Sequence, residues 1–355
     1  MQEHLFSRRI LYFIDDTVFF RCREAEHLES CHDDDNPKKA LSNMSTRIME
    51  AMEMESPLED FGDILMYYSR RSLTMESDAL SAMEGISQQF ASKLGYEISV
   101  GLPVGAWDHF ILFSGRNLRR RPGFPSYSWA GWKGSLCPFP SPDDSIPNWL
   151  DTHTWIVWYI ADGDRSYSLV WDPFEWARKN SMRPLKRDAF HQGYRERVGF
   201  CCPGLEFEHG ARPILPTQST PFVSLPHCSG FLRFWTVSIF MQVKNTGLHY
   251  GKAALFGVDG KQYGTIELDG LDECNVEASV LSGPSELILL SGVSGDRPYE
   301  GVALPKPAGD HAEYHVMLLE WDEEIAERRG IGKLRREGLA KSYNHGPAWK
   351  EITLA

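Results

Sequence analysis

Residues 119–134 read R-R-R-P-G-F-P-S-Y-S-W-A-G-W-K-G, and the fold turns on how they are read. Pro122 and Gly123 end any helix arriving from the N-terminal side: proline lacks the backbone donor, and glycine takes the left-handed cap. Pro125 keeps Phe124 extended. Aromatic rings follow at Tyr127, Trp129 and Trp132, with Ala130 and Gly131 between. In a strand, Tyr127 and Trp129 would share one face. Small residues beside two tryptophans predict a close backbone approach. Deleting a buried Trp side chain costs about 3–5 kcal/mol, so the stretch reads as an aromatic core plug rather than a ligand platform. Arg119, Arg120 and Arg121 read as a solvated turn rather than a phosphate clamp. On this reading Trp129→Ala destabilises the fold and Arg120→Ala does not.

Upstream the signals are mostly helical. Residues 11–23 are the exception: two apolar runs flank Asp15 and Asp16, predicting a hairpin. Residues 24–55 are polar and acidic, a loop with a short helix near 47–54. Ser56-Pro57-Leu58-Glu59 is a capping box with proline in the first turn. Leu58, Phe61, Ile64, Leu65 and Tyr68 follow at helical spacing. A second helix is predicted over 74–94, burying Leu80, Met83, Ile86 or Ser87, Phe90 and Leu94 and stopped by Gly95. Arg70 and Arg71 lie between the helices, where Asp78 is a candidate ion-pair partner for either. Gly101-Leu102-Pro103 reads as a turn, and residues 106–113 as a short helix.

Downstream, residues 137–147 form a proline-rich connector too broken for a helix or an inner strand. Strand signals then dominate: 154–160 and 166–171 about an Asp-Gly turn, 231–243, 253–258 and 263–268 about a second Asp-Gly, 273–281, 286–293, 313–321 and 349–354. Residues 322–329 read as a helical turn. The class is α+β: a hairpin and helical region over 1–136, a connector over 137–150, and a mostly antiparallel β-rich region over 151–355, either a sandwich or a partly closed barrel.

The totals agree with a globular protein. The 355 residues are 42% hydrophobic, enough for about two domains. The seven cysteines are odd in number and include an adjacent pair, Cys201 and Cys202, rather than C-x-x-C. They read as reduced thiols in a cytoplasmic protein. The first ten residues lack a signal-peptide pattern, and the apolar runs at 155–160 and 237–243 are far shorter than the roughly 20 residues a membrane span needs. The sequon at Asn43 therefore reads as unused. A net charge of −12 disfavours nucleic acid and anionic membranes as partners.

Catalytic signatures are sparse. There is no Walker A loop and no G-x-S-x-G elbow. Gly330-Ile331-Gly332 lacks the third glycine of a dinucleotide loop. His311 and His315 are four apart but enter a strand, which separates them, so they do not read as a zinc pair. Cys31-His32 with Asp33, Asp34 and Asp35 lacks a second cysteine at finger spacing. Glu206 with Glu208, and Glu320 with Asp322, share strand faces and read as surface charge. No catalytic residue, cofactor or metal is assigned. Trp155, Trp158 and Trp171 are the candidates for stacking on a sugar.

Several ordered runs together resemble the fungal heterokaryon incompatibility family, which acts in non-self recognition and regulated cell death. They begin with residues 2–13, Q-E-H-L-F-S-R-R-I-L-Y-F. Tyr68-Ser69-Arg70-Arg71-Ser72-Leu73-Thr74, Ser77-Asp78-Ala79-Leu80, Gly85-Ile86 and Gly101-Leu102-Pro103 continue the series. Phe124-Pro125-Ser126-Tyr127-Ser128-Trp129-Ala130-Gly131-Trp132 is the most specific, with Tyr127 where the family more often has Trp. Phe231-Leu232-Arg233-Phe234-Trp235, residues 264–269, Arg328-Arg329-Gly330-Ile331-Gly332 and residues 349–354 complete it. The resemblance marks Arg70, Arg71, Asp78, Pro125, Trp129, Gly131, Trp132, Trp235 and Trp349 as anchors. It implies an effector domain, similar to the Toll/interleukin-receptor fold, ahead of Gln2-Glu3, where this sequence has only Met1. The chain is thus expected to be a non-catalytic regulatory and interaction region whose partner is a protein or an effector domain. The alternatives are a fragment of an NAD-cleaving effector and a glycan- or ligand-binding sandwich.

Overall fold

The computed structural model describes residues 9–14, 17–22, 26–28, 56–140, 142, 145–162, 166–171, 230–245, 251–270, 283–293, 311–344 and 346–355. The helix expected near 47–54, the strand at 273–281, the Cys31 cluster, the Glu206 pair and the runs at 2–8 lie outside these residues. The chain divides into two compact units, Met1–Leu94 and Gly95–Ala355. The boundary expected at residue 136 therefore lies inside the second unit, and residues 95–136 fold with the strands.

In the first unit, β1 (Arg9–Ile14) and β2 (Thr17–Cys22) pair antiparallel as the expected hairpin, with β3 (Glu26–Leu28) beside β2. Helix α1 (Pro57–Ser69) begins where predicted, but half of the capping box is replaced: the Ser56 backbone N–H donates to Asp60 Oδ2 at 3.1 Å, and the Ser56 hydroxyl caps nothing. The second helix is shorter than its pattern. Two 3₁₀ turns, Glu76–Asp78 and Ser81–Met83, precede α2 (Glu84–Leu94). Thr74, Ser77, Asp78 and Ser81 have short polar side chains that compete with the helical backbone for hydrogen bonds. Met83, Ile86 and Phe90 are buried, and the Phe61 and Phe90 rings meet edge to face at 5.3 Å.

The second unit holds a sheet that closes on itself. Its strands are β8 (Tyr159–Asp162), β9 (Ser166–Leu169), β10 (Leu232–Asn245), β11 (Lys252–Phe256), β12 (Gln262–Leu268), β13 (Pro284–Gly292), β14 (Glu313–Asp322), β15 (Ile325–Arg335) and β16 (Ala348–Leu354). Before them come the short pair β4 (Ile98–Ser99) and β5 (Leu102–Pro103), helix α3 (Trp107–Phe110), the pair β6 (Gly115–Arg120) and β7 (Trp132–Leu136), and helix α4 (Ile146–His153).

The long β10 is the hinge of the closure. Ser238 to Gln242 pair with β13, while Gln242 to Asn245 pair with β11. The ring β10–β13–β14–β15–β12–β11 thus returns to its start. β16 lies antiparallel along the first half of β10, from Leu232 opposite Leu354 to Ser238 opposite Ala348, and meets β15 in parallel at Ala326. The β8–β9 hairpin extends the sheet from the start of β10. The fold is α+β, as read, with the sheet closed as a barrel. Leu232 through Ile239 are buried without a break, so β10 is covered on both faces.

Two corrections concern element type. Residues 322–329 are not a helical turn: β14 reverses at Glu323, φ 53°, and Ile325 already begins β15. Inward residues alternate from Ala326 through Arg328 to Gly330, and an inward arginine disguised the period. Residues 137–150 are not all connector. Ser145 accepts the Asn148 N–H at 3.3 Å, Pro147 sits in the first turn, and α4 follows.

Gly330 and Gly332 serve the barrel rather than a nucleotide. A Cβ on Gly332 would collide with the Thr265 carbonyl oxygen and lie 2.7 Å from Ile266 Cα on the neighbouring β12. Gly332→Ala is expected to force these strands apart and cost about 1–3 kcal/mol, readable as a lower urea midpoint. An unchanged midpoint would show that the strands can separate freely.

Candidate functional site

Two assemblies in the second unit concentrate polar and aromatic side chains. The first is built on residues 119–134. Their ends belong to β6 and β7, but the middle is not a strand: Ser126–Ser128 turn, the Ser128 hydroxyl accepts the Ala130 N–H at 3.0 Å, and a 3₁₀ turn covers Trp129–Gly131. Tyr127 and Trp129 therefore do not share a strand face, but they are core residues, as are Trp132 and Ser126. Trp129 Nε1 donates to the Gly101 carbonyl at 2.8 Å and Trp132 Nε1 to the Ser126 carbonyl at 2.7 Å. The Tyr127 hydroxyl donates to the Gly230 carbonyl just before β10. Burial alone raises the Tyr127 phenol well above its ordinary pKa.

The close backbone approach is at Gly131. A Cβ there would overlap the Pro125 carbonyl oxygen and lie 2.9 Å from Arg120 Nη1. Of the three arginines only Arg119 is exposed as a solvated residue would be. Arg121 is buried and donates through Nη1 to the Ala130 and Trp132 carbonyls at 2.7 and 2.9 Å. Arg120 Nη1 donates to the carbonyls of Arg121, Phe124 and Gly131 at 2.9, 2.7 and 3.2 Å. Its Nη2 reaches Glu327 at 3.4 Å. A tight loop turns many carbonyls inward, and the guanidinium forks satisfy them.

Ser126 joins this loop to the barrel. Its N–H donates to the Ala355 oxygen at 2.8 Å, its hydroxyl donates to the same oxygen, and the hydroxyl accepts the Arg328 N–H at 3.0 Å. Arg328 is fully enclosed. Nε donates to Asp269 Oδ2 at 2.7 Å, Nη1 to the Ile111 carbonyl at 3.0 Å, and Nη2 to the Phe113 carbonyl. Its guanidinium lies 3.6 Å from the Phe113 ring centroid. Burial pulls its pKa down and the Asp269 carboxylate opposes that. One residue of the R-R-G-I-G run thus clamps β15 to α3 and to the aromatic loop.

The second assembly is a box of histidines around Trp149. Sequence reasoning flagged only His311 and His315; His109 arrives on α3 and His153 on α4. The Trp149 ring meets His109 at 5.9 Å, His315 at 6.1 Å and His153 at 6.4 Å between centroids. His311 lies 4.9 Å from His153 and 6.1 Å from Trp155. Trp149 Nε1 donates to the Gly292 carbonyl at 3.1 Å, fixing α4 to the end of β13. Gly292 must be a glycine, because a Cβ would enter the His311 ring.

Burial disfavours charge on two of these imidazoles. Burial lowers the His109 pKa to about 4. Burial first, then the charges of Lys333, His109 and His153, lower that of His315 to about 3. Thr152 Oγ1 donates to the Asn148 carbonyl at 2.7 Å, so its oxygen accepts from His153 Nδ1 at 2.7 Å. That places a proton on His153 Nδ1. His109 and His315 meet Trp149 edge to face and His153 stacks on it, and among the described residues no group of three His, Cys, Asp or Glu is placed to hold a metal.

The remaining marked residues fall elsewhere. Arg70, Arg71 and Asp78 are exposed on the first unit, and among the described residues no ion pair joins them. Asp78 accepts from the Ser77 hydroxyl at 3.2 Å instead. Pro125 is half-buried, and its carbonyl accepts the Ser128 N–H at 3.2 Å. Trp235 is buried on β10 opposite Glu351, and Trp349 is half-buried opposite Val237. Trp155 and Trp158 are core residues, and half-buried Trp171 packs edge-on against Tyr96 at 5.1 Å, so the sugar-stacking platform is not displayed. Glu320 is tied to Arg329 on the surface rather than paired with Asp322. Among the described residues no helix is long and apolar enough to cross a membrane. Compared with protein-family models, curated proteins and solved structures, the chain matches none.

Proposed function

We propose that this chain is a non-catalytic regulatory and interaction region of a fungal non-self-recognition protein, of the heterokaryon incompatibility kind, that works with an effector domain or another protein partner in the cytoplasm. The observation that carries the reading is how the resembling runs are used. Pro125 to Trp132, Arg328 to Gly332 and the strand ending at Leu354 are far apart in sequence, yet they meet at Ser126 and Arg328. Residues that recur together for one scaffold would be spent this way, on internal hydrogen bonds rather than on a substrate.

Purified full-length chain incubated with NAD is expected to release no nicotinamide above a buffer control. Nicotinamide release that a point substitution within this chain abolishes would overturn the reading in favour of an effector fragment.

A further inference from the structure

Three histidines from separate parts of the chain, His109, His153 and His315, meet the Trp149 indole where α3, α4, the end of β13 and the start of β14 join, and a fourth, His311, packs on His153. A structural core has no need of four imidazoles there; phenylalanine or leucine would fill the same volume without a titration. We infer that the histidine box is an acid-operated latch: protonation releases α4 and residues 311–315, which include the first residues of β14, exposing Trp149 and its neighbours while the rest of the ring of strands stays paired.

Of the charges around the box, Lys333 opposes protonation of His315 in the closed state. On α3, the Asp108 carboxylate adjoins His109 but accepts the Trp158 indole N–H at 3.0 Å. On β15, Lys333 stands opposite His315 and makes its protonation harder. On β14, half-buried Glu313 lies two residues before His315. The end of β13 supplies Ser291, whose hydroxyl sits 3.1 Å from His315 Nδ1, and Gly292; the connector supplies Phe139, 5.7 Å from His109. Neither brings a charge. Any second proton therefore enters a site already holding imidazoles and a nearby ammonium. The ring itself is lined by residues such as Val237, Ile239, Met241, Leu287 and Leu289, which have nothing to titrate.

The direction follows from linkage. Released histidines return to an ordinary pKa near 6.5, whereas latched His109 and His315 titrate at about 4 and about 3. Lowered folded-state values mean that the latch is fully closed above pH 6.5 and weakens as pH falls from there toward the latched values. Between pH 7.5 and 4.5, His109 and His315 should each multiply the open-to-closed ratio roughly a hundredfold.

The test is amide hydrogen exchange of the full chain at pH 7.5 and 4.5, read by mass spectrometry and corrected for the intrinsic pH dependence of exchange. Peptides covering 107–113, 146–158 and 311–315 are expected to lose protection by at least a hundredfold at pH 4.5, while those from β10 and from the parts of β13 and β15 that do not pair with residues 313–315 keep theirs. His109→Phe, which fills the same space without a titration, should remove about a hundredfold of that loss. Unchanged protection in the three peptides, or equal loss throughout the second unit, would overturn the inference. If His109→Phe does not fold at pH 7.5, the wild-type pattern decides alone.

Discussion

Arg328→Ala is expected to lower the melting temperature of the second unit by roughly 6–20 °C, the largest effect expected of a single polar substitution among the described residues. Arg328 and Asp269 are 0% and 3% exposed, so neither has solvent to fall back on. Removing the guanidinium strands a buried carboxylate and leaves the Ile111 and Phe113 carbonyls without their donor. Breaking one side of such a pair costs about 3–5 kcal/mol, and a unit of this size loses about 2–4 °C per kcal/mol. Arg328→Lys should recover only part of this, since an ammonium can balance Asp269 but cannot also reach two carbonyls on a fixed fork. Arg328→Met with Asp269→Leu should melt higher than Arg328→Met alone, because it removes the stranded charge. If thermal melts place the double variant lower, the carboxylate has another role and the clamp has been misread.

That clamp also marks the limit of what the sequence could reveal. The strands were legible because β10, β12, β13 and β16 alternate or run apolar in the ordinary way. β15 was not, since its inward residues are Ala326, Arg328 and Gly330, which carry no hydrophobic period. The closure of the sheet was legible only as one of two options. It depends on β10 pairing with both β13 and β11, which overlap at Gln242, a property of register rather than of any local residue. α4 had a full start signal in Ser145 and Pro147, but the prolines around it outweighed that signal. With α4 missed, Trp149 and His153 had no element to sit on, and the histidine box could not be assembled. His109 and His153 reach His315 only through tertiary packing, which no spacing rule encodes.

The arginine triplet failed for a different reason. Three adjacent charges read as a surface, yet a loop that folds back tightly around Gly131 must satisfy its own carbonyls. Guanidinium groups are suited to that. Trp129→Ala should still be the more damaging change: the indole is 3% exposed and donates to the Gly101 carbonyl. Its loss should cost about 3–5 kcal/mol. Arg120→Ala is no longer expected to be neutral. It removes donors to three carbonyls and the reach to Glu327, but the side chain is 26% exposed and water can replace some of these bonds, so about 1–2 kcal/mol is expected. Trp129→Phe separates the two parts of the tryptophan's role, keeping an aromatic ring while losing the N–H, and should fall between wild type and Trp129→Ala. Chemical denaturation of the three variants gives the order directly. Should Arg120→Ala prove as destabilising as Trp129→Ala, the loop is held by its guanidinium forks, and the indole merely fills space that the forks have already enclosed.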